Sequence, residues 1–489
     1  MPQILDFDPP VPFWAQTCLY HGEWCMSDMK LHHSLIHTRR AALVLLFCQT
    51  LVSCTSIPKL DRPAAPVSAT FPGGGKTSAA SSEIAWRQVF QDARLVRLIE
   101  IALENNRDFR AAMLRVEEAR AQYRVERSAL QPSVSQSSDF SHSRQSGSTS
   151  EQWSLKLGTT SYELDLFGRI RSLSSKALEE YFAKEEGQRA AKVTLIAELA
   201  TQYYTVRRLE ELIANTKLTL TAVEGSYRLN ESIFKAGGLL ELDLRSSEVQ
   251  VLTAKANLIA YERDRAQAEN GLVLMLGQPL PAHLPAGKSL ADAPVKAVPA
   301  GVPSDLLNGR PDILEAEHTL RAANADIGAA RAAFFPSIKL TASGGTASTA
   351  LSSLFSGGTA VWSFAPQITL PIFTGGRNRA NLDAAKVRTR IEVANYEKAI
   401  QTAFREVADA LVAQRSAKEQ ISALEALVTA QQKRYDLASV RDQQGVASYL
   451  NVLTAQQDLF SAQQNLISAR YDSVAARISL YQALGGGWK

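Results

Sequence analysis

The sequence predicts a mainly α-helical chain with a β segment too small to stand alone. Three observations carry that prediction. Proline is absent from 133 to 278 and again from 372 to 489, stretches far longer than ordinary globular helices. Between Pro132 and Phe167, and again around Trp362, the apolar period drops from that of a helix to two. The two halves also read as one unit written twice, the mark of a repeat architecture.

Composition narrows the function classes first. Aromatic residues make up 7% of the 489, with 5 Met and 7 His, a mixture that favours long helices over an aromatic-rich core. The 53 basic and 49 acidic residues are interspersed, so no electrostatic footprint for nucleic acid is visible. Cys18, Cys25, Cys48 and Cys54 all lie in the first 54 residues, which excludes disulfides and thiolate metal sites from the rest. His142, His283 and His318 are far apart and lack a neighbouring ligand, so zinc or a Cys-His nucleophile has no parts. There is no phosphate loop and no serine elbow either. No cofactor is expected, and the chain does not read as an enzyme.

At the N-terminus, Arg39-Arg40 precede the apolar run Ala41 to Leu51, too short to span a bilayer but suited to a secretory signal. Four acidic residues ahead of the basic pair place the expected start at Met29. Leu51-Val52-Ser53-Cys54 resembles a bacterial lipobox, which implies acylation of Cys54 and removal of residues 1–53. Thr55 after the cysteine, rather than Asp, implies sorting to the outer membrane. Residues 54–85, rich in Pro, Ser, Ala and Gly, read as a tether behind that anchor.

The first unit, 86–276, begins with a helix and then turns to strands. Trp153, Leu155 and Leu157 alternate with polar residues, the parity shifts near Gly158 to Ser161 as at a bulge, and Tyr162, Leu164 and Leu166 resume it. A helix of about Ile170 to Lys235 follows, then a glycine turn and a returning helix. Seven prolines crowd 277 to 311, which makes 277–310 a wrapping connector. The second unit, 311–489, repeats the order, with Trp362, Phe364, Ile368, Leu370 and Ile372 on one strand parity. At an offset of 208, Glu198 meets Glu406, Arg207 meets Arg415, Tyr227 meets Tyr435 and Gly237 meets Gly445.

Arg377 to Gln443 contains neither Gly nor Pro, and its 67 residues reach roughly 100 Å at about 1.5 Å each. Ile400, Phe404, Val407 and Leu411 step as in a coiled-coil seam, and Leu242, Val249, Ala256 and Leu453, Phe460, Ile467 keep strict sevens. These helices must pack laterally in water. Four strands cannot close a membrane barrel, which needs at least about eight and tolerates no open edge in lipid. Three copies would supply twelve strands and continue as a helical tube, so a homotrimer is expected.

Leu306-Leu307-Asn308-Gly309-Arg310-Pro311-Asp312-Ile313, with Ala322-Ala323-Asn324-Ala325-Asp326-Ile327-Gly328 and the run Ala329 to Pro336, resembles the hallmark of outer-membrane efflux lipoproteins. These are the TolC/OprM-like ducts of tripartite resistance-nodulation-division pumps, in the NodT subfamily. The resemblance covers about Trp86 to Trp488, including the ending Tyr481 to Trp488. It implies a trimer with one twelve-stranded outer-membrane β-barrel continued by one twelve-helix periplasmic α-barrel. It also implies two partners, a periplasmic adaptor (membrane fusion protein) and an inner-membrane transporter, with outer-membrane lipid around the barrel. Pro311 suits a first helical turn, Asp312 the positive end of the dipole, and Arg310 a tie from connector to nearby carboxylates.

By the same resemblance the adaptor meets the two hairpin turns, here Gly237, Gly238 and Leu239, and Gly445, Val446, Ala447 and Ser448. Inward of the turns the family holds its tube shut with aspartate rings and salt bridges. Asp243 matches one such position, its counterpart is Asn451 beside Leu450, and Thr454 stands where relatives carry an aspartate. The gate is therefore expected to be wired through Lys235, Arg245, Arg441 and Asp442. The function implied is an exit duct for drugs or other small molecules, with the outlet of a type I secretion system as the alternative. A periplasmic structural tether would use the same coiled coils but has no use for amphipathic strands carrying Trp153 and Trp362.

Overall fold

The computed structural model describes residues 56–68, 70–71, 85–292, 295–296, 298, 307–446 and 448–486. Cys54 and Ala447 lie outside the described residues. The described helices are α1 (Trp86–Val89), α2 (Ala93–Asn105), α3 (Arg107–Ser128), α4 (Arg169–Lys235), α5 (Glu241–Leu276), α6 (Pro311–Ala332), α7 (Arg377–Gln443) and α8 (Tyr449–Ala483). Strands β1 (Ser135–Gln145) and β2 (Ser148–Leu164) precede α4, and β3 (Ser337–Ser348) and β4 (Ala360–Thr369) precede α7. The chain divides into two compact units, one of Met1–Ser56, Leu130–Arg171 and Arg331–Ile372, the other of Ile57–Ala129, Ser172–Ala330 and Phe373–Lys489.

The first unit is a four-stranded antiparallel sheet in the order β1-β2-β3-β4. Strands far apart in sequence meet at its centre, where Trp153 pairs with Ser348 and Tyr162 with Leu340. The expected bulge is there: the register slips between Thr159 and Tyr162, Ser161 adopts φ 55, and its N–H donates to Thr341 Oγ1 at 3.1 Å. Phe140 and Trp153 face each other across β1 and β2 with centroids 4.3 Å apart. Trp362, Phe364 and Ile368 stand exposed on one parity of β4. Leu370 and Ile372, expected to extend that strand, lie past its end at Thr369. The outer edges of β1 and β4 carry no strand partner among the described residues.

The second unit holds the helices. α4 and α7 are each 67 residues long, and α5 and α8 return along them for 36 and 35. Asp92, fully buried, caps α2 and also accepts hydrogen bonds from Tyr203 Oη at 2.8 Å and Lys288 N at 2.9 Å, which joins α2, α4 and the connector. Asn106 caps α3 and donates to the Met275 carbonyl at the end of α5. Gly277 closes α5 at φ 68, and a Cβ there would stand 2.3 Å from the Asn105 carbonyl oxygen, so only glycine fits. Leu98, Ile99, Ile196, Tyr204, Leu276 and Ile313 belong to one continuous core. Among the described residues no helix is long and apolar enough to cross a membrane, a statement that says nothing of the sheet.

The segment read as a tether is bound down over its described residues. Arg62 reaches Tyr396 Oη at 2.9 Å, the Leu307 carbonyl at 3.0 Å and Glu317 at 2.9 Å, while Asn324 donates to the Pro58 carbonyl at 2.8 Å. Phe71 stacks on Phe404 of α7 with centroids 5.1 Å apart. Small polar composition suggested slack chain, but one arginine with four helical-unit partners, Asn308 Oδ1 at 3.5 Å included, is enough to hold it.

The strict-seven positions behave differently in the two returning helices. Leu453 is buried against its own chain, whereas Leu242 and Val249 on α5 are 74% and 57% exposed. Leu252 and Ile259 extend the α5 stripe, also exposed.

Candidate functional site

Both helical hairpins reverse through a left-handed glycine. Gly237 has φ 78 and Gly445 φ 71, and the N–H groups of Gly238 and Val446 close the turns on the Ile233 and Arg441 carbonyls at 2.9 Å. This 6→1 bond past a left-handed residue is what satisfies helix-terminal carbonyls in a tight reversal. A Cβ at either glycine would meet nothing within 4 Å, so the turns are sterically open. Leu239 is half-buried, Leu240 is exposed, and Val446 is 65% exposed. Ser448 caps α8 by accepting from Leu450 N at 3.3 Å, and Leu450 itself is exposed.

Inward of the turns, the charges expected to tie the hairpins together are arranged differently. Lys235 pairs with Glu231 at 2.8 Å within α4, and Arg245 with Glu241 and Glu248 at 3.4 and 2.8 Å within α5. The i,i+3 and i,i+4 partners are simply nearer than anything on the other hairpin. Arg441 and Asn451 are exposed. Between the hairpins, within one chain, the close approach is acid to acid: burial, then the charge of Asp243, hold the Asp442 carboxyl above its usual value. Tyr449, which the sequence reading passed over, sits close by. Burial is the main cause that holds its hydroxyl above the usual value, against the opposing influence of the nearby Asn230 and Ser226 of α4, so this ring of one hairpin sits against the other. Its counterpart at the 208 offset is Glu241, and that difference between halves was the available signal.

The Arg-Pro-Asp motif forms a compact node. Pro311 opens α6 and Asp312 lies in its first turn, where its Oδ1 accepts from the Ile313 N–H at 3.0 Å. Arg310, with a side chain 8% exposed, contacts Asp312 at 2.5 Å, Glu406 of α7 at 2.9 Å and the Ala483 carbonyl of α8 at 2.7 Å. Burial disfavours its charge, but Asp312 and Glu406 more than offset that and raise it. Among the described residues no group of three or more His, Cys, Asp or Glu side chains is placed to hold a metal.

A paired set of helical hairpins with left-handed glycine tips, joined to a four-stranded antiparallel sheet with open edges, defines the class of outer-membrane exit ducts. Residues 98–278 and 302–486 match the outer membrane efflux protein family, to which this chain belongs. It is 46% identical over 452 residues to the solvent efflux pump outer membrane protein SrpC of Pseudomonas putida, covering 90% of this chain and 96% of that one. It is 42% identical over 455 residues to the outer membrane protein OprJ of Pseudomonas aeruginosa, covering 91% and 95%. The open-state structure of the MtrE outer membrane channel of Neisseria gonorrhoeae superposes with a TM-score of 0.84 at 40% identity, over 89% of this chain and 99% of that one.

Proposed function

We propose that three copies of this chain form an outer-membrane exit duct that passes drugs or other small molecules outward from an inner-membrane transporter and a periplasmic adaptor. The single observation that carries the assembly is the exposed seam Leu242, Val249, Leu252 and Ile259, spaced seven, three and seven, on a helix whose other face is already packed. An a/d stripe of that kind is stable in water only against another helix. The open edges of β1 and β4 support the same conclusion, because unpaired backbone in lipid costs several kcal/mol per group, and twelve strands from three chains remove the edges. SrpC is named for solvent efflux, which supports small apolar compounds as cargo.

In this reading residues 1–53 are a signal removed before Cys54, and 54–85 carry the acylated anchor. Residues 86–276 and 311–489 are the two repeats, and 277–310 the belt between them. The adaptor packs on the tips around Gly237, Gly238 and Leu239 and around Gly445, Val446, Ala447 and Ser448. The closed end is set by Asp243, Arg245, Arg441, Asp442, Leu450 and Asn451. Native mass spectrometry of the mature protein in mild detergent tests the assembly, with a trimer expected. A monomer that keeps its helical circular dichroism overturns the shared barrel.

A further inference from the structure

The antiparallel seam between α4 and α6 can be followed rung by rung. A Cβ at Gly328 of α6 would stand 2.6 Å from Ser172 Oγ of α4, so the two helices run close there. At the next rung Lys176 pairs with Asp326 at 3.1 Å. His318 then meets Glu179 through Nδ1 at 2.7 Å, with its ring centroid 5.4 Å from that of Phe182. The last rung sets acid beside acid. The Glu315 carboxylate of α6 lies over Gly187 of α4, 3.1 Å from where a Cβ would be, and the residue before that glycine is Glu186. Glu186 is 8% exposed. Its Oε1 accepts from Arg189 at 2.5 Å, whereas its Oε2 is buried with no hydrogen-bond partner among the described residues.

The charges around this rung do not cancel the burial. Burial is the largest influence on both carboxyls and holds each above its ordinary value of 4.5. At Glu186, Arg189 of α4 and His318 of α6 oppose it and Glu185 adds to it. At Glu315, Lys184 of α4 opposes it, while Asp312 and Glu186 add to it. From α3, Arg120 acts on Tyr181, whose hydroxyl donates to Glu185 at 2.7 Å. The repeat shows that the fold does not require acids here. At the offsets of 208 for α7 and 204 for α3, the counterparts are Ala384 and Gln122, Val387 and Leu114, and Ala394-Asn395 with Ala111. None of these side chains titrates.

We propose that this rung is a proton-operated latch: a proton held by Glu186 or Glu315 closes α6 on α4, and its loss loosens the seam. A carboxylate only accepts hydrogen bonds, so the buried Oε2 of Glu186 gains a hydrogen to donate only when that group is protonated. Two carboxyls at one poorly solvated place also avoid being charged together. The sign follows from groups held above their unfolded value. Their stabilisation is complete below the ordinary 4.5 and is lost as pH rises through the raised values. That the latch would answer to periplasmic acidity rests on the duct reading; the latch itself does not.

Melting of the purified full chain in mild detergent, followed by helical circular dichroism from about pH 4.5 to about pH 7.5, tests the latch. The melting temperature of the parent should fall across that range. Glu186→Gln should remove about 1–3 °C of the fall, the scale that one unsatisfied buried polar group sets in a chain of this length. Glu315→Gln should act in the same direction, which keeps the test decisive where one variant folds poorly. Glu419→Gln, at an exposed carboxyl on α7, and His318→Gln should both keep the fall. A parent that is flat or rises with pH, an equal change in Glu186→Gln and Glu419→Gln, or a fall that vanishes only with His318→Gln would overturn the proposal. All of these are read from stability alone, so they are separable from failure of the duct reading, which the oligomeric state decides.

Discussion

Replacing Arg310 with Met keeps a long unbranched side chain and removes every donor of the node. Four hydrogen bonds disappear, three of them to carboxylates and one to the Ala483 carbonyl. Breaking a buried ion pair costs about 3–5 kcal/mol. The partners are not buried, since the side chains of Asp312 and Glu406 are 43% and 39% exposed and water can take over part of their solvation. The expected loss is therefore about 2–4 kcal/mol per chain, most of it from the orphaned end of α8 and the lost tie to α7. With an unfolding entropy near 2.1 cal/mol/K per residue, a chain of this length would melt about 2–4 °C lower. Thermal unfolding followed by helical circular dichroism measures it. Arg310→Lys should fall between, because an ammonium supplies charge but not the fork that serves three acceptors. A melting temperature for Arg310→Met indistinguishable from the parent would refute the view that this motif is a structural rivet.

Three further outcomes follow from the same geometry. Because burial and Asp243 raise the Asp442 carboxyl, the folded arrangement holds a proton that the unfolded chain has released; it is most stable below the ordinary value of 3.8 and loses that stability as pH rises through the raised value. Planar-bilayer conductance should thus climb with pH over that window, and Asp243→Asn should flatten the slope; an unchanged slope removes Asp243 from the coupling. Gly277→Ala should cost about 2 kcal/mol or more, since left-handed backbone alone costs about 1–2 and the new methyl meets the Asn105 carbonyl, and denaturant titration reads the loss. Gly445→Glu should depress efflux at normal trimer abundance while Gly445→Asn, which tolerates the left-handed turn, keeps transport; equal transport by both would move adaptor docking elsewhere.

Much of the fold was legible because it rests on local rules. The bounds of α7 follow from the absence of Gly and Pro between Gly376 and Gly445, and the bulge near Ser161 follows from a parity shift in β2. Pairings that depend on where distant segments land were not. Glu406 was visible only as the counterpart of Glu198, and nothing in its neighbours says that it faces Arg310 across 96 residues. Arg62 sits in a stretch whose composition reads as linker, and its four partners come from 307, 308, 317 and 396. At the tips the turn glycines were readable from φ demands alone, while the charges were not, because whether Arg245 ties two hairpins or only its own helix depends on a competition between neighbours i,i+4 and partners across the hairpin.

Periodicity alone also could not separate the two returning helices, and their difference bears on how copies associate. The sevens Leu242, Val249 and Leu453, Phe460 look alike in sequence, yet Leu453 is buried and Phe460 half-buried, while Leu242 and Val249 are exposed. One copy thus satisfies one of its seams and presents the other, together with exposed apolar residues Val412 and Leu437 on α7. A two-fold dimer buries one self-complementary patch per chain, so it serves two unlike faces only where both lie within that one patch. They can be matched head to tail, and a head-to-tail contact either closes into a ring or runs on as a filament. The sheet adds the deciding constraint, because its edges β1 and β4 are also unlike and must both be paired if it enters lipid. A closed ring meets both demands with a single contact repeated around an axis.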